Sequence, residues 1–175
     1  MGVRSDGVVF EWSSGGGNPV QRGDISGVRR LSVGYEHVLA LRVDGLVWSW
    51  LFGGRSNGSG HLGNGTMANS YIATPIAGLT NVAEIAAGYA HSLAAKIDGS
   101  VWAWGNNSQG QLGDGSLTNR YAPVAVTGLT GVIRVAGGNL HSLALKGDKT
   151  VVAWGYNIEG QLVTAPPRSA MRRWR

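Results

Sequence analysis

The stretch HSLAAKIDGSVWAWGNNSQGQLGDG, residues 91–115, returns fifty residues later as HSLALKGDKTVVAWGYNIEGQL, residues 141–162. In the first copy two short apolar runs, HSLAAKI and SVWAW, flank Asp98-Gly99. Asp-Gly between apolar runs is a strong hairpin signal and predicts a type I′ turn. Short runs of β-branched and aromatic residues suit strands. No window keeps a 3.6-residue apolar period long enough for a helix.

Outward from this stretch, His37, His91 and His141 occupy equivalent sites, each with a glycine three residues before it (Gly34, Gly88, Gly138). The turns are Asp44-Gly45, Asp98-Gly99 and a degraded Asp148-Lys149, followed by LVWSW, SVWAW and TVVAW. The histidines lie 54 and 50 residues apart, and LFGGRSNGSGHL (Leu51–Leu62) carries the four extra residues. VRSDGVVFEW (Val3–Trp12) matches LRVDGLVWSW (Leu41–Trp50) position by position. A partial unit therefore fills residues 1–33, and full units begin near 34, 88 and 138. The propeller segment is expected to cover 1–163, and 164–175 to be a basic, disordered tail outside the repeat.

A period near fifty signals a repeat architecture. In SVWAW, Val101 and Ala103 point one way and Trp102 and Trp104 the other. A sheet open to water on one face would need a polar alternate face. Small sheets apolar on both faces need a similar sheet on each side, which radial stacking provides. The fold class is therefore all-β: a partial β-propeller of three to four four-stranded blades, about half of a seven-bladed ring.

An arc of blades leaves an apolar face bare at each end. Each face is on the order of 300 Å², or roughly 8 kcal/mol of unburied surface. The sequence is accordingly expected to be a fragment of a longer product, or to close a ring by self-association.

Composition narrows the function. There is no cysteine, which excludes disulfides and thiolate metal sites. The 29 glycines are more than double the roughly 7% average usage and supply turns. The net charge of +5 owes much to the last eight residues, RSAMRRWR, which hold four arginines; the rest carries 11 basic and 10 acidic residues. Nucleic acid is thus not an expected partner of the body. No apolar run approaches the ~20 residues of a membrane span.

The three histidines raise the question of a metal, since imidazole is a good zinc ligand. Equivalent positions in successive blades surround a ring rather than a point, so no metal is expected. Each histidine is instead expected to cap its strand by bonding backbone of its own or the next blade. Asp44, Asp98 and Asp148 are turn residues. No nucleophile elbow, paired carboxylates or phosphate loop stands out, so no catalytic residue, cofactor or enzymatic activity is expected. Trp50, Trp104 and Trp154 read as interblade core.

A hairpin returns the chain to the side where it began, so the loop before each histidine and the loop after each tryptophan strand share one rim. There the copies differ: Tyr35-Glu36, Tyr89-Ala90 and Asn139-Leu140 in the first loop, and Asn107-Ser108-Gln109 against Asn157-Ile158-Glu159, with Tyr156, in the second. Positions that the frame does not dictate are free to face a partner, and loops on a rigid scaffold commonly do so. These rim residues (Tyr35, Glu36, Tyr89, Ala90, Asn139, Leu140, Asn107, Ser108, Gln109, Tyr156, Ile158 and Glu159) are the candidate binding surface for another protein.

GxxHSLAL, DGxVWAWG and NxxGQLGDG together resemble the repeats of the regulator of chromosome condensation family, and the likeness runs from Val3 to Leu162. The resemblance implies a seven-bladed propeller, and the Asp-Gly-x-Val-Trp-Ala-Trp-Gly spelling looks closest to bacterial members. It extends more distantly to the propeller-type β-lactamase inhibitor protein, which binds through rim loops. By family analogy it also implies guanine-nucleotide exchange or a chromatin-associated role. Binding to, or action on, cell-surface glycans is a further alternative.

Overall fold

The computed structural model describes residues 1–12 and 17–162, and the backbone of strand 172–174. Among these residues every regular element is a strand, and four antiparallel sheets follow one another along the chain. The first has three strands: β1 (Gly2–Val3), β2 (Val9–Glu11) and β3 (Val20–Gln21). The second holds β4 (Val28–Val33), β5 (His37–Arg42), β6 (Val47–Leu51) and β7 (Thr74–Pro75). The third holds β8 (Val82–Ala87), β9 (His91–Lys96), β10 (Val101–Gly105) and β11 (Arg120–Ala125). The last holds β12 (Val132–Gly137), β13 (His141–Lys146), β14 (Val151–Gly155) and β15 (Arg172–Trp174). Sequence neighbours pair within each sheet, as in the blades of a propeller.

Two boundaries differ from the sequence reading. The sheets start at Val28, Val82 and Val132, six residues ahead of the glycines taken as unit starts. Those glycines turn the chain from the first strand to the second. Arg172–Trp174, assigned from sequence to a disordered tail, pairs with β14 in the register Val151↔Trp174 and completes the last sheet. An unpaired edge of β14 offers a row of free backbone groups, and those pairings satisfy it. The rest of the expected tail, 164–171 and 175, lies outside the described residues.

The hairpin turns also differ. Gly99 sits at φ +79°, while Asp98 keeps a negative φ; the Gly99 N–H donates to Lys96 O (2.9 Å) and Lys96 N–H to Ser100 O (2.9 Å). This is a type I turn closed by a left-handed residue, not the type I′ turn that Asp-Gly predicts. Asp98 Oδ1 accepts the Ser100 N–H (2.9 Å), which holds the turn. In the degraded copy Lys149 takes the left-handed position at φ 70°.

The two-faced reading of the strands holds. Val101 and Ala103 point into a core shared with the last sheet, with Val132, Ala144, Val152 and Trp154. Trp104, with Trp102 at its edge, points into a core shared with the second sheet, with Leu39, Leu41, Val47 and Ile85. A third core, with Val9, Ile25, Val38 and Trp50, joins the first two sheets. The first strands converge: β4 packs on β8, and β8 on β12. There Glu84 accepts Arg30 from one side (2.9 Å) and Arg134 from the other (2.5 Å). Within the described residues no helix is long and apolar enough to cross a membrane.

Candidate functional site: a rim built on an interblade relay

His37 and His91 reach serine side chains of the next sheet, where bonds to backbone were expected. His37 Nε2 lies 2.6 Å from Ser92 Oγ of the next sheet, and His91 Nε2 lies 3.0 Å from Ser142 Oγ of the one after. Each serine hydroxyl donates onward, Ser92 to His61 O (2.9 Å) and Ser142 to Gln111 O (2.7 Å). The serine proton is thus spent on the carbonyl, so the histidine Nε2 must carry the other proton and donate it. The same carbonyls accept the indoles, Trp104 Nε1 to His61 O (2.9 Å) and Trp154 Nε1 to Gln111 O (2.8 Å). One carbonyl of each sheet's loop therefore binds both the serine and the tryptophan of the next.

Glycine precedes each histidine for room. A Cβ built on Gly88 would lie 2.3 Å from His91 Cε1 and 2.8 Å from Gly138 O. The imidazole folds back onto the bare Cα, which places its Nε2 against the neighbouring sheet. Burial holds these rings neutral: it drags His91 down to about 4, helped by His141, and drives His37 well below the usual imidazole range, helped by His61 and His91. Among the described residues no group of three or more histidine, aspartate or glutamate side chains could hold a metal ion.

The loops that deliver those carbonyls are knit by asparagine. Asn107 donates from Nδ2 to Asp114 Oδ1 and to Ser116 O (both 3.0 Å), and its Oδ1 accepts the Leu112 N–H (3.0 Å). Asn57 does the same with Thr66 O, Ala68 O and Leu62 N–H, and Asn157 Oδ1 accepts the Leu162 N–H. Asn107 is fully buried, so it is a frame residue and not the contact residue expected. Ala90 is corrected likewise: it is buried, with Gly105 against it and its carbonyl accepting the Asn106 N–H (2.8 Å).

The remaining rim residues reach solvent. Tyr35, Tyr89, Asn139, Ser108, Ile158 and Glu159 are exposed; Glu36, Leu140, Gln109 and Tyr156 are half-buried. The shared rim is real, since Asn106 N–H bonds Ala90 O and Tyr156 N–H bonds Leu140 O. The structure gathers six of these ten residues into two places. One is a groove of about 350 Å³ lined by Ser108, Gln109, Leu117, Tyr156 and Ile158. The other is a ladder: the Tyr35 and Tyr89 rings stack at 4.3 Å and 10°, and the Arg55 guanidinium covers Tyr35 at 4.1 Å. Such offset ring pairs add about 0.5–1.5 kcal/mol beyond burial.

Sequence reasoning missed Arg55 and His61. Arg55 rises from the four-residue insertion, its carbonyl held by the Tyr71 hydroxyl (2.8 Å). His61 stands where the other copies have Gln111 and Gln161. It is fully buried, its ring 4.8 Å from that of His37, and its Nδ1 3.4 Å from Glu36 Oε2. Burial lowers His61 to about 4 and raises Glu36, the latter against the pull of Arg55. The signal for both residues was in the repeat: each is a departure from the frame.

Antiparallel sheets stacked face to face, their first strands converging, define an arc of a β-propeller. The chain belongs to the regulator of chromosome condensation (RCC1) repeat family, whose models match residues 44–95 and 98–145, and 82–111 and 132–161. It is similar to the mitochondrial RCC1 domain-containing protein RUG3 of Arabidopsis thaliana, 31% identical over 122 residues, covering 61% of this chain and 26% of that protein. The solved structure of human WBSCR16 superposes with a TM-score of 0.73 at 27% identity, over 88% of this chain and 40% of that one. Yeast RCC1 (Prp20), solved bound to Kap60, superposes at 0.65 with 26% identity, over 79% of this chain and 32% of that one. A structure of Prp20p of Saccharomyces cerevisiae, described with its binding to Gsp1p and histones, superposes at 0.63 with 28% identity, over 79% and 33%. The chain thus spans about a quarter to two fifths of these proteins. All are eukaryotic, so the expected bacterial affinity gains no support from them.

Proposed function

We propose that this chain is a non-enzymatic protein-binding module whose partner docks on the rim carrying Tyr35, Tyr89 and Tyr156. The observation that carries the reading is the stack of the exposed Tyr35 and Tyr89 rings, capped by the half-buried Arg55, on a frame held by buried hydrogen bonds. Tyrosine and arginine are enriched at protein interfaces because they offer large rigid contact area with a polar end. Structural relatives support the class of function: yeast RCC1 has been solved bound to Kap60, and Prp20p is described with Gsp1p and histones. The chain acts as an arc of a larger ring, completed by further repeats or by a second copy. Trp12 is 50% exposed, whereas its counterparts Trp50, Trp104 and Trp154 are at most 1% exposed, which supports that reading.

Affinity capture with the whole chain, compared with a Tyr35→Ala/Tyr89→Ala/Tyr156→Ala variant, tests the rim. Loss of the captured protein is expected; equal recovery would overturn the assignment. Nucleotide exchange, the alternative implied by the family, is tested by release of labelled nucleotide from a purified small GTPase. The glycan alternative is tested by a glycan array.

A further inference from the structure

The departures from the repeat are not scattered. Glu36 replaces the apolar residue found at Ala90 and Leu140, His61 replaces glutamine, and the insertion brings Arg55. All three meet in one sector, between the second and third sheets. Glu36 faces His61, the His61 ring lies against His37, and Arg55 caps Tyr35, which stacks on Tyr89. Where one unit of a regular frame breaks its own pattern in several touching positions, function is the usual reason.

The chemistry of the sector favours a cation. The Glu36 carboxylate is about three-quarters buried, yet among the described residues it accepts no hydrogen bond, and Arg55 pulls on it only from beyond salt-bridge distance. Its neighbour His61 is buried with neither ring nitrogen hydrogen-bonded among the described residues, its Nδ1 lying 3.4 Å from Glu36 Oε2. A desolvated carboxylate without donors is complementary to a guanidinium or ammonium. The ladder has the same preference, since a guanidinium already lies on the face of Tyr35. No other ring or cation covers Tyr89 among the described residues, and it is 38% exposed. Glu159, free of any ion pair among the described residues and exposed beside the groove, adds negative charge to the same rim.

We propose that the Tyr89 ring and the Glu36 carboxylate anchor an arginine side chain of the partner protein. This rests on the rim-binding reading and names the chemistry of its occupant. The test is an NMR titration of the whole chain with Ac-Gly-Arg-Gly-Arg-Gly-NH2 and with its glutamate counterpart. The arginine peptide is expected to shift the Tyr35 and Tyr89 ring resonances saturably, with affinity falling as salt rises. Tyr89→Ala is expected to weaken binding about threefold to fivefold, whereas Tyr89→Phe, which keeps the ring face, leaves it unchanged. Glu36→Gln is expected to weaken the arginine peptide and flatten its salt dependence. Shifts of the same rings by the glutamate peptide would overturn the cation assignment while leaving rim binding intact. Absence of shifts at Tyr89 with the arginine peptide would overturn the proposal, and affinity capture decides the rim separately.

Discussion

Replacing Ser92 by alanine tests the interblade relay at its centre. Ser92 is fully buried; its hydroxyl receives His37 Nε2–H at 2.6 Å and donates to His61 O at 2.9 Å. In Ser92→Ala the His61 carbonyl keeps the Trp104 indole at 2.9 Å, so it is not orphaned. The His37 Nε2–H loses its partner in a site without water access, at a cost of about 1–3 kcal/mol. For a domain of this size that lowers Tm by roughly 2–4 °C per kcal/mol. Urea unfolding followed by tryptophan fluorescence measures it. Removing both partners, in His37→Leu/Ser92→Ala, abolishes the orphan, so the pair is expected to cost less than the two single changes together, with a coupling of about 1 kcal/mol. A Ser92→Ala cost within about 0.5 kcal/mol, or strictly additive single and double changes, would refute the relay.

Acid is expected to weaken the fold before carboxylates titrate. His91 and His61 have folded pKa values near 4, below the unfolded value of about 6.5, so the unfolded chain binds protons first as pH falls. Stability is therefore full above about pH 6.5 and declines towards pH 4, by on the order of 3 kcal/mol for each histidine; urea midpoints from pH 7.5 to 4.5 should show it, and a flat profile would contradict it. Asn107→Ala should cost about 2–3 kcal/mol by leaving the Leu112 N–H and Ser116 O unpaired, while leaving captured partner unchanged at equal folded concentration. Lys149→Gly should raise the urea midpoint by up to about 1 kcal/mol of stability, because glycine adopts φ near 70° without a Cβ clash.

The stacked-sheet architecture could be read from the chain because its causes are local and periodic. Asp-Gly marks a hairpin within four residues, and alternation in SVWAW assigns Val101 and Trp104 to opposite cores. What could not be read depends on partners about a sheet away. The hydroxyl that receives His37 lies 55 positions on, at Ser92, and no local pattern reveals it. Asn107 and Ala90 looked variable or loop-like, yet are buried because the loop folds over them. The type I turn escaped because Asp-Gly suits both turn types, and only the sign of φ at Asp98 separates them. Arg55 and His61 were visible as an insertion and a substitution, but their meeting with Glu36 and Tyr35 is a fact of three dimensions.

Hydrogen exchange at the indole N–H groups, followed by 15N NMR in deuterated water, tests the stacking of sheets most directly. Trp104 and Trp154 each give that proton to a carbonyl of the preceding sheet's loop and are at most 1% exposed, while Trp12 is half exposed. The two buried indoles are expected to exchange orders of magnitude more slowly than that of Trp12, with protection approaching that of global unfolding. Exchange of Trp104 and Trp154 as fast as Trp12 would mean that the sheets do not close on one another, and the propeller arc would fall.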